Sequence, residues 1–185
     1  MAEDAQQHKD KMRRVFDTLA PVYDSPATRF FPFCADRLVS YVRPRPGSKV
    51  LDVATGTGVA AIAFAQAVRP GGRVTAVDIS ADMLDRAAAN IGKMALDNVD
   101  LHQMDAERLD FRGGYFHSVV CSYGLFFLPD MPAALREWVR VLRPGGIYVV
   151  GMSLTDFEPA VEARATPATS ISGLLARNSI FKRSA

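Results

Sequence analysis

The 185-residue chain has few cysteines, no excess of either charge and no long apolar run. Its two cysteines, Cys34 and Cys121, are too few for a disulfide framework, and three scattered histidines predict no metal site. Basic and acidic residues nearly balance, at 22 against 20, so we expect no nucleic-acid partner. No apolar run reaches the roughly 18 residues of a membrane span. The polar N-terminus also lacks the apolar segment of a secretion signal, which predicts a cytoplasmic protein.

Strands and helices alternate along the middle of the chain. Predicted strands cover residues 50–54, 73–77, 99–104, 118–122 and 147–152, and predicted helices cover residues 59–68, 81–94 and 131–142. Ser80 is expected to be the N-cap of the second of these helices. Strongly apolar strands separated by helices predict an α/β protein whose mainly parallel sheet is covered on both faces. Two earlier helices, over residues 5–20 and 33–42, form a predicted N-terminal helical cap.

A glycine turn follows the first predicted strand, where residues 54–58 read ATGTG. Gly56 and Gly58 carry no side chain that would keep a ligand from the backbone. The helix that starts at this turn directs free N–H groups and a positive dipole end toward an anionic group. Asp78 ends the second strand twenty positions after Gly58, where a carboxylate accepts hydrogen bonds from ribose hydroxyls. The unit predicts a site for an adenosine-containing cofactor.

Two cofactors fit this turn, because Gly56, Gly58 and Ala61 also match the relaxed nicotinamide fingerprint. Three further features favour S-adenosylmethionine (SAM). Asp52 lies just before the turn, where negative charge favours a ligand with an ammonium and a sulfonium. Asp105 closes the third strand where an adenine amino group can donate to it. Residues 122–124 (SYG) end the fourth strand on the same rim.

Four segments in register resemble the successive motifs of class I SAM-dependent methyltransferases: residues 50–58 (VLDVATGTG), 76–80 (AVDIS), 104–107 (MDAE) and 141–146 (VLRPGG). The likeness is greatest to the ubiquinone/menaquinone biosynthesis methyltransferases. Residues 15–17 and 23–24 also resemble the N-terminal signature of that group. It extends from about residue 13 to 153. The resemblance implies a Rossmann-like, doubly wound sheet in the order 3-2-1-4-5.

The resemblance also implies a cofactor site. Asp78 would hold the ribose, Asp105 would contact the adenine edge, and Tyr23 would close over the cofactor. The complete implied set is Tyr23, Asp52, Ala54, Thr55, Gly56, Thr57, Gly58, Asp78, Ile79, Met83, Asp105, Ala106 and Ser122. Structural roles are the alternatives: Asp52 as an acceptor for backbone N–H groups of the turn, Asp78 as a solvated strand-end acid, and Asp105 as a helix N-cap.

The implied activity is methyl transfer from SAM to a small molecule, and the expected class of acceptor is aromatic or quinone-like. Such a transfer needs no covalent nucleophile. Tyr23 and Tyr123 are the weak candidates where the acceptor needs a base. One alternative is a catalytically silent SAM-binding or interaction module derived from a truncated methyltransferase. A nicotinamide oxidoreductase is the third hypothesis.

The C-terminal segment departs from the family, which continues past the fifth strand with a helix and two more strands. We expect a division into a helical cap (1–46), a SAM-binding core (47–153) and an atypical tail (154–185). The tail is predicted to form one helix over residues 155–165 and then irregular structure, with a very short strand at 179–181 as an alternative. Both final family strands are therefore expected to be missing. The apolar fifth strand then becomes an edge that either forms a homodimer or is covered by the tail.

Overall fold

A computed structural model of the chain describes residues 2–151 and 161–164. Within them, six strands form one sheet: β1 (Lys49–Val53), β2 (Arg73–Asp78), β3 (Val99–Gln103), β4 (Phe116–Ser122), β5 (Leu142–Gly151) and β6 (Val161–Arg164). The α-helices of this part are α1 (Ala2–Leu19), α2 (Phe31–Val42), α3 (Val59–Ala67), α4 (Ala81–Lys93) and α5 (Met131–Val141). Short 3₁₀ turns at Ala20–Val22 and Pro26–Thr28 separate α1 from α2, and each of them contains a proline, Pro21 or Pro26.

The strand order is β3-β2-β1-β4-β5-β6, and each neighbouring pair from β3 to β5 is parallel. This confirms the predicted order 3-2-1-4-5 and the Rossmann-like, doubly wound arrangement. The order reverses direction at β1 and β4, which is where ligands bind in open α/β sheets. The carboxyl ends of β1, β2 and β4 meet at this point, so the sequence motifs that follow these strands lie on one rim.

Both faces of the sheet are buried, as near-continuous apolar strands require. Successive residues of β1 point to opposite faces: Leu51 belongs to a cluster with Trp138, and Val50 belongs to a second cluster with Phe64. The single tryptophan is 1% exposed, and its indole N–H donates to the Ala106 carbonyl at 2.9 Å. This bond attaches α5 to the loop that follows β3 and fixes one wall of the rim.

The C-terminal prediction was wrong where the structure describes it. Residues 161–164, predicted as part of a helix, form β6, which runs antiparallel to β5 with Ile147 opposite Arg164 and Val150 opposite Val161. The unpaired edge of β5 offers N–H and C=O groups for hydrogen bonding. Pairing with them stabilises this segment more than its weak helical preference would. The edge is thus covered by the chain's own tail along four residues. A homodimer stays a prediction, and residues 155–160 and 179–181 lie outside the described residues.

Strand β5 also starts earlier than predicted. Leu142 pairs with Phe116, and the next pair joins Ile147 to Ser118, so residues 143–146 bulge out of the ladder. Gly145 in this bulge has φ 76°, a left-handed value that glycine adopts without strain. None of the helices in the described ranges combines the length and apolar character needed to cross a membrane.

Two glycines give a matched test of the packing. A Cβ atom at Gly72 would overlap the backbone carbonyl of Val68 and lie 2.5 Å from its Cβ, whereas a Cβ at Gly92 on α4 meets nothing within 4 Å. We expect Gly72→Ala to lower the free energy of unfolding by about 1–3 kcal/mol. Gly92→Ala should raise it by about 0.5–1 kcal/mol because alanine favours the helix. Urea unfolding followed by Trp138 fluorescence measures both, and an unchanged midpoint for Gly72→Ala would contradict the described packing.

Candidate functional site

Two adjoining cavities lie at the carboxyl ends of the strands, beneath α1. The larger one, called the rim cavity here, is lined by Lys9, Met12, Phe16, Tyr23, Ala54, Gly56, Asp78, Ile79, Met83, Met104, Asp105, Ala106, Ser122, Tyr123, Gly124, Phe127, Leu128 and Pro129. The smaller one, called the turn cavity, is lined by Tyr23, Phe31, Asp52, Ala54, Thr55, Gly56, Thr57, Val59, Ala60 and Ser122. The two share Tyr23, Ala54, Gly56 and Ser122, so one elongated ligand can contact both.

The turn after β1 connects the two cavities. Gly56 and Gly58 have φ values of 56° and 86°, and Gly58 is the N-cap of α3. This left-handed backbone brings the N–H groups at the start of α3 to the cavity side, where the helix dipole favours an anion. Ala54 also has a positive φ, 54°, a left-handed value that residues with a Cβ atom rarely adopt.

Asp78 binds the turn to the start of α4. One carboxylate oxygen accepts from the Gly56 N–H at 2.8 Å and the other from the Ser80 N–H at 3.0 Å. The Ser80 hydroxyl accepts from the Met83 N–H at 3.1 Å, which confirms the predicted N-cap. Burial raises the pKa of Asp78, and the backbone hydrogen bonds oppose that shift. Each carboxylate oxygen can accept two hydrogen bonds, so Asp78, which lines the rim cavity, keeps some acceptor capacity beyond its bonds to Gly56, Ile79 and Ser80.

Asp52 is completely buried at the base of the turn cavity. Its Oδ2 accepts from the Thr55 hydroxyl at 2.6 Å. Among the residues that the structure describes, none donates to its Oδ1 within hydrogen-bond distance, although the Ala61 N–H on α3 lies near enough to the carboxyl group to lower its pKa. Burial raises the pKa of Asp52 to about 7, a shift that the Thr55 bond opposes and the charge of Asp78 reinforces. A buried carboxylate with an open oxygen is costly alone and is stabilised by a cationic ligand.

Asp105 lies at the opposite end of the rim cavity. Its Oδ1 accepts from the Glu107 N–H at 2.9 Å, and its Oδ2 accepts from the Lys9 ammonium at 2.7 Å. The local bond is the kind of structural role that the sequence left open, while the contact with α1 was not foreseen. Apolar Ile79 and Met83 line the same cavity, which therefore offers apolar contacts as well as an acceptor.

Aromatic rings form the side of the site toward α2. Tyr23 stacks on Phe31 with centroids 5.8 Å apart, and Phe31 also contacts Tyr123 at 5.6 Å. Burial raises the pKa of both tyrosines. The acids Asp78 and Asp24 add to the shift at Tyr23, and the hydrogen bond with Cys34 adds to it at Tyr123. Both phenols therefore stay protonated at neutral pH, which favours a hydrogen-bond donor over a base.

Most of the residues predicted for the site line one of the two cavities. Gly58 is the exception: it does not line either cavity, and its Cβ position lies 3.1 Å from Ala87 on α4. Thr57 lines the turn cavity, but its hydroxyl donates to Asp24 at 2.7 Å. The prediction from sequence missed the three residues that α1 contributes, Lys9, Met12 and Phe16, because the amphipathic pattern of a helix does not show which rim it covers.

Comparisons with known proteins agree with this geometry. Residues 4–164 match the profile of the ubiE/COQ5 methyltransferase family. The chain is 38% identical over 132 residues to nocamycin O-methyltransferase of Saccharothrix syringae, covering 71% of this chain and 47% of that protein. It is 36% identical over 151 residues to demethylmenaquinone methyltransferase of Staphylococcus aureus, covering 79% of this chain and 61% of that protein. The chain thus spans about half to three fifths of these relatives' lengths.

A solved structure shows the same fold. The SAM-dependent methyltransferase of Aquifex aeolicus superposes with a TM-score of 0.66 over 77% of this chain and 78% of that one, at 20% sequence identity. At this identity the likeness concerns the fold alone. The chemistry is argued from the two cavities and from the family match.

Proposed function

The chain belongs to the ubiE/COQ5 methyltransferase family, and from this premise we propose that it transfers a methyl group from SAM to a small molecule. The observation that carries the proposal is the pair of joined cavities on one rim. They present a buried acid with an open oxygen (Asp52), a helix N-terminus, a strand-end carboxylate (Asp78) and apolar side chains together with a third acid (Asp105). This order matches the ammonium, carboxylate, ribose and adenine of the cofactor.

The residues present fit each part of that cofactor. The open oxygen of Asp52 would accept from the ammonium, and the first N–H groups of α3 would bind the carboxylate. Asp78 would accept from the ribose hydroxyls with its remaining lone pairs. Ile79 and Met83 would contact the adenine ring, and Asp105 would accept from its amino group. All of these assignments are proposals.

The chain's task in the reaction is positioning. When bound, SAM supplies a methyl group activated by its sulfonium. Phe16 and Tyr23 cover the rim cavity and would exclude water from it. Tyr23 and Tyr123 would orient an acceptor by donating hydrogen bonds from their protonated phenols. Orientation of this kind supplies on the order of 7–11 kcal/mol of barrier lowering.

An aromatic or quinone-like acceptor fits the aromatic side of the site. Tyr23, Phe31 and Tyr123 line the two cavities, and the Phe31 ring contacts the other two with centroids 5.8 and 5.6 Å apart, so these rings offer edges and faces to a planar ligand. The two relatives named above, a nocamycin O-methyltransferase and a demethylmenaquinone methyltransferase, support a small-molecule acceptor. We propose no nucleic-acid substrate.

Titration calorimetry with SAM and S-adenosylhomocysteine, followed by a methyl-release assay over phenols and hydroquinones, tests the proposal. We expect saturable binding of both nucleosides and turnover with at least one hydroquinone or phenol. Binding without turnover on any acceptor would favour the silent module instead. Saturable NADH binding in the absence of SAM binding would overturn the cofactor assignment.

A further inference from the structure

Lys9 connects α1 to the adenine end of the rim cavity. Its ammonium forms ion pairs with Asp105, at 2.7 Å, and with Glu107. The side chains are 15% (Lys9), 29% (Asp105) and 9% (Glu107) exposed, so both pairs are shielded from solvent more than ordinary surface pairs. The two hydrogen bonds outweigh the effect of burial and raise the pKa of Lys9, which keeps it a cation.

The two halves of α1 are attached to the rest of the protein in different ways. Asp17 near the C-terminal end accepts from the Ser80 hydroxyl at 2.6 Å, and just beyond this helix Asp24 accepts from Thr57 at 2.7 Å. The N-terminal half is attached through Lys9 and through a bond of 3.0 Å between the His8 ring and the Phe127 carbonyl. Releasing Lys9 therefore loosens the N-terminal half, which keeps the His8 bond, without breaking the C-terminal attachment.

The rim cavity is narrow while α1 is attached. Its volume is about 80 Å³, whereas ligand pockets are roughly 300–1,000 Å³. Three α1 side chains, Lys9, Met12 and Phe16, line it from above. A ligand of nucleoside size therefore needs more room than this cavity has, and an outward movement of α1 would provide it.

We propose that Lys9 is a positioning residue that holds α1 across the rim cavity and competes with the cofactor's adenine amino group for Asp105. This inference rests on the proposed function and adds a residue that would regulate binding of the cofactor. Both groups are hydrogen-bond donors directed at one carboxylate, whose Oδ1 is already engaged by the Glu107 N–H. Cofactor binding and release of the N-terminal half of α1 are therefore coupled.

The test compares Lys9→Met with Lys11→Met. Lys11 is exposed on the same helix, and no described residue pairs with its ammonium, so it is the matched control. Without any ligand, Lys9→Met should raise amide hydrogen exchange in the first half of α1, and Lys11→Met should not. Equal exchange in the two variants would show that Lys9 does not hold α1 in place, and this result would overturn the inference whether or not the protein binds SAM.

Binding measurements then separate competition from a merely structural role. We expect Lys9→Met to bind S-adenosylhomocysteine about three- to fivefold more tightly than wild type, mainly through a faster association rate. S-inosylhomocysteine carries a carbonyl where adenine has its amino group. Lys9 can donate to this carbonyl instead of competing with it, so Lys9→Met should bind S-inosylhomocysteine more weakly than wild type. Lys9→Arg should restore both wild-type affinities.

The outcomes distinguish the two proposals. A wild-type protein that binds neither nucleoside contradicts the proposed function. Normal wild-type binding with equal affinities in Lys9→Met and Lys11→Met contradicts the competition alone. A parallel loss of affinity for both nucleosides in Lys9→Met would show that Lys9 supports the site instead of competing for it, and would likewise overturn the inference.

Discussion

Replacing Asp78 by alanine should weaken S-adenosylhomocysteine binding by about 2–3 kcal/mol, or roughly 30- to 150-fold. Two losses contribute. The ribose hydroxyls lose a charged acceptor, and the Gly56 and Ser80 N–H groups lose the oxygens to which they donate. Because Gly56 belongs to the turn, the second loss also loosens the backbone that faces the amino-acid end of the cofactor.

Two companion variants separate these contributions. Asp100→Ala removes a carboxylate from β3, whose ion pair with Arg73 is exposed and remote from both cavities, and it should leave the affinity unchanged. Asp78→Asn keeps one acceptor oxygen but presents its NH₂ group to a backbone N–H donor. Its affinity for S-adenosylhomocysteine should therefore lie nearer to that of Asp78→Ala than to that of the wild type. Calorimetry on all three measures the ordering. Wild-type affinity in Asp78→Ala would mean that the ribose binds elsewhere.

The contrast between Asp78 and Lys9 shows which parts of the site a sequence predicts. Asp78 follows a buried strand at a fixed distance from a glycine turn, so local strand and turn chemistry determines its position. The Ser80 cap is equally local, because its hydroxyl reaches a backbone N–H only three residues away. Lys9 meets Asp105 across 96 positions of the chain, and nothing in the helical pattern of α1 specifies that partner.

The same distinction explains the C-terminal error. A segment of four residues carries little intrinsic preference, and its pairing with β5 depends on an edge formed by a distant part of the chain. Thr57 illustrates the point at a smaller scale. Its place in the turn was predicted, but the direction of its hydroxyl depends on Asp24, which arrives from the N-terminal segment.

Asp52 makes both stability and binding depend on pH. Its pKa is raised from 3.8 to about 7 in the folded protein, so folding favours the protonated form. The stability from this group is fully present below pH 3.8 and is lost as the pH rises through about 7. Relative to Asp52→Asn, which cannot ionise, wild-type protein without ligand should therefore lose unfolding free energy across that window.

Cofactor binding should reverse this preference, because a ligand ammonium beside the open oxygen of Asp52 favours the carboxylate. We expect the affinity of the wild type for S-adenosylhomocysteine to rise about tenfold between pH 5.5 and 7, with proton release on binding. This window lies below the titration of the ligand's own amino group. Asp52→Asn should bind more weakly at pH 7 and show a nearly flat profile.

Calorimetry in two buffers of different ionisation enthalpy counts the protons. A wild-type profile as flat as that of the variant would place the ammonium away from Asp52 and leave its buried oxygen without a function.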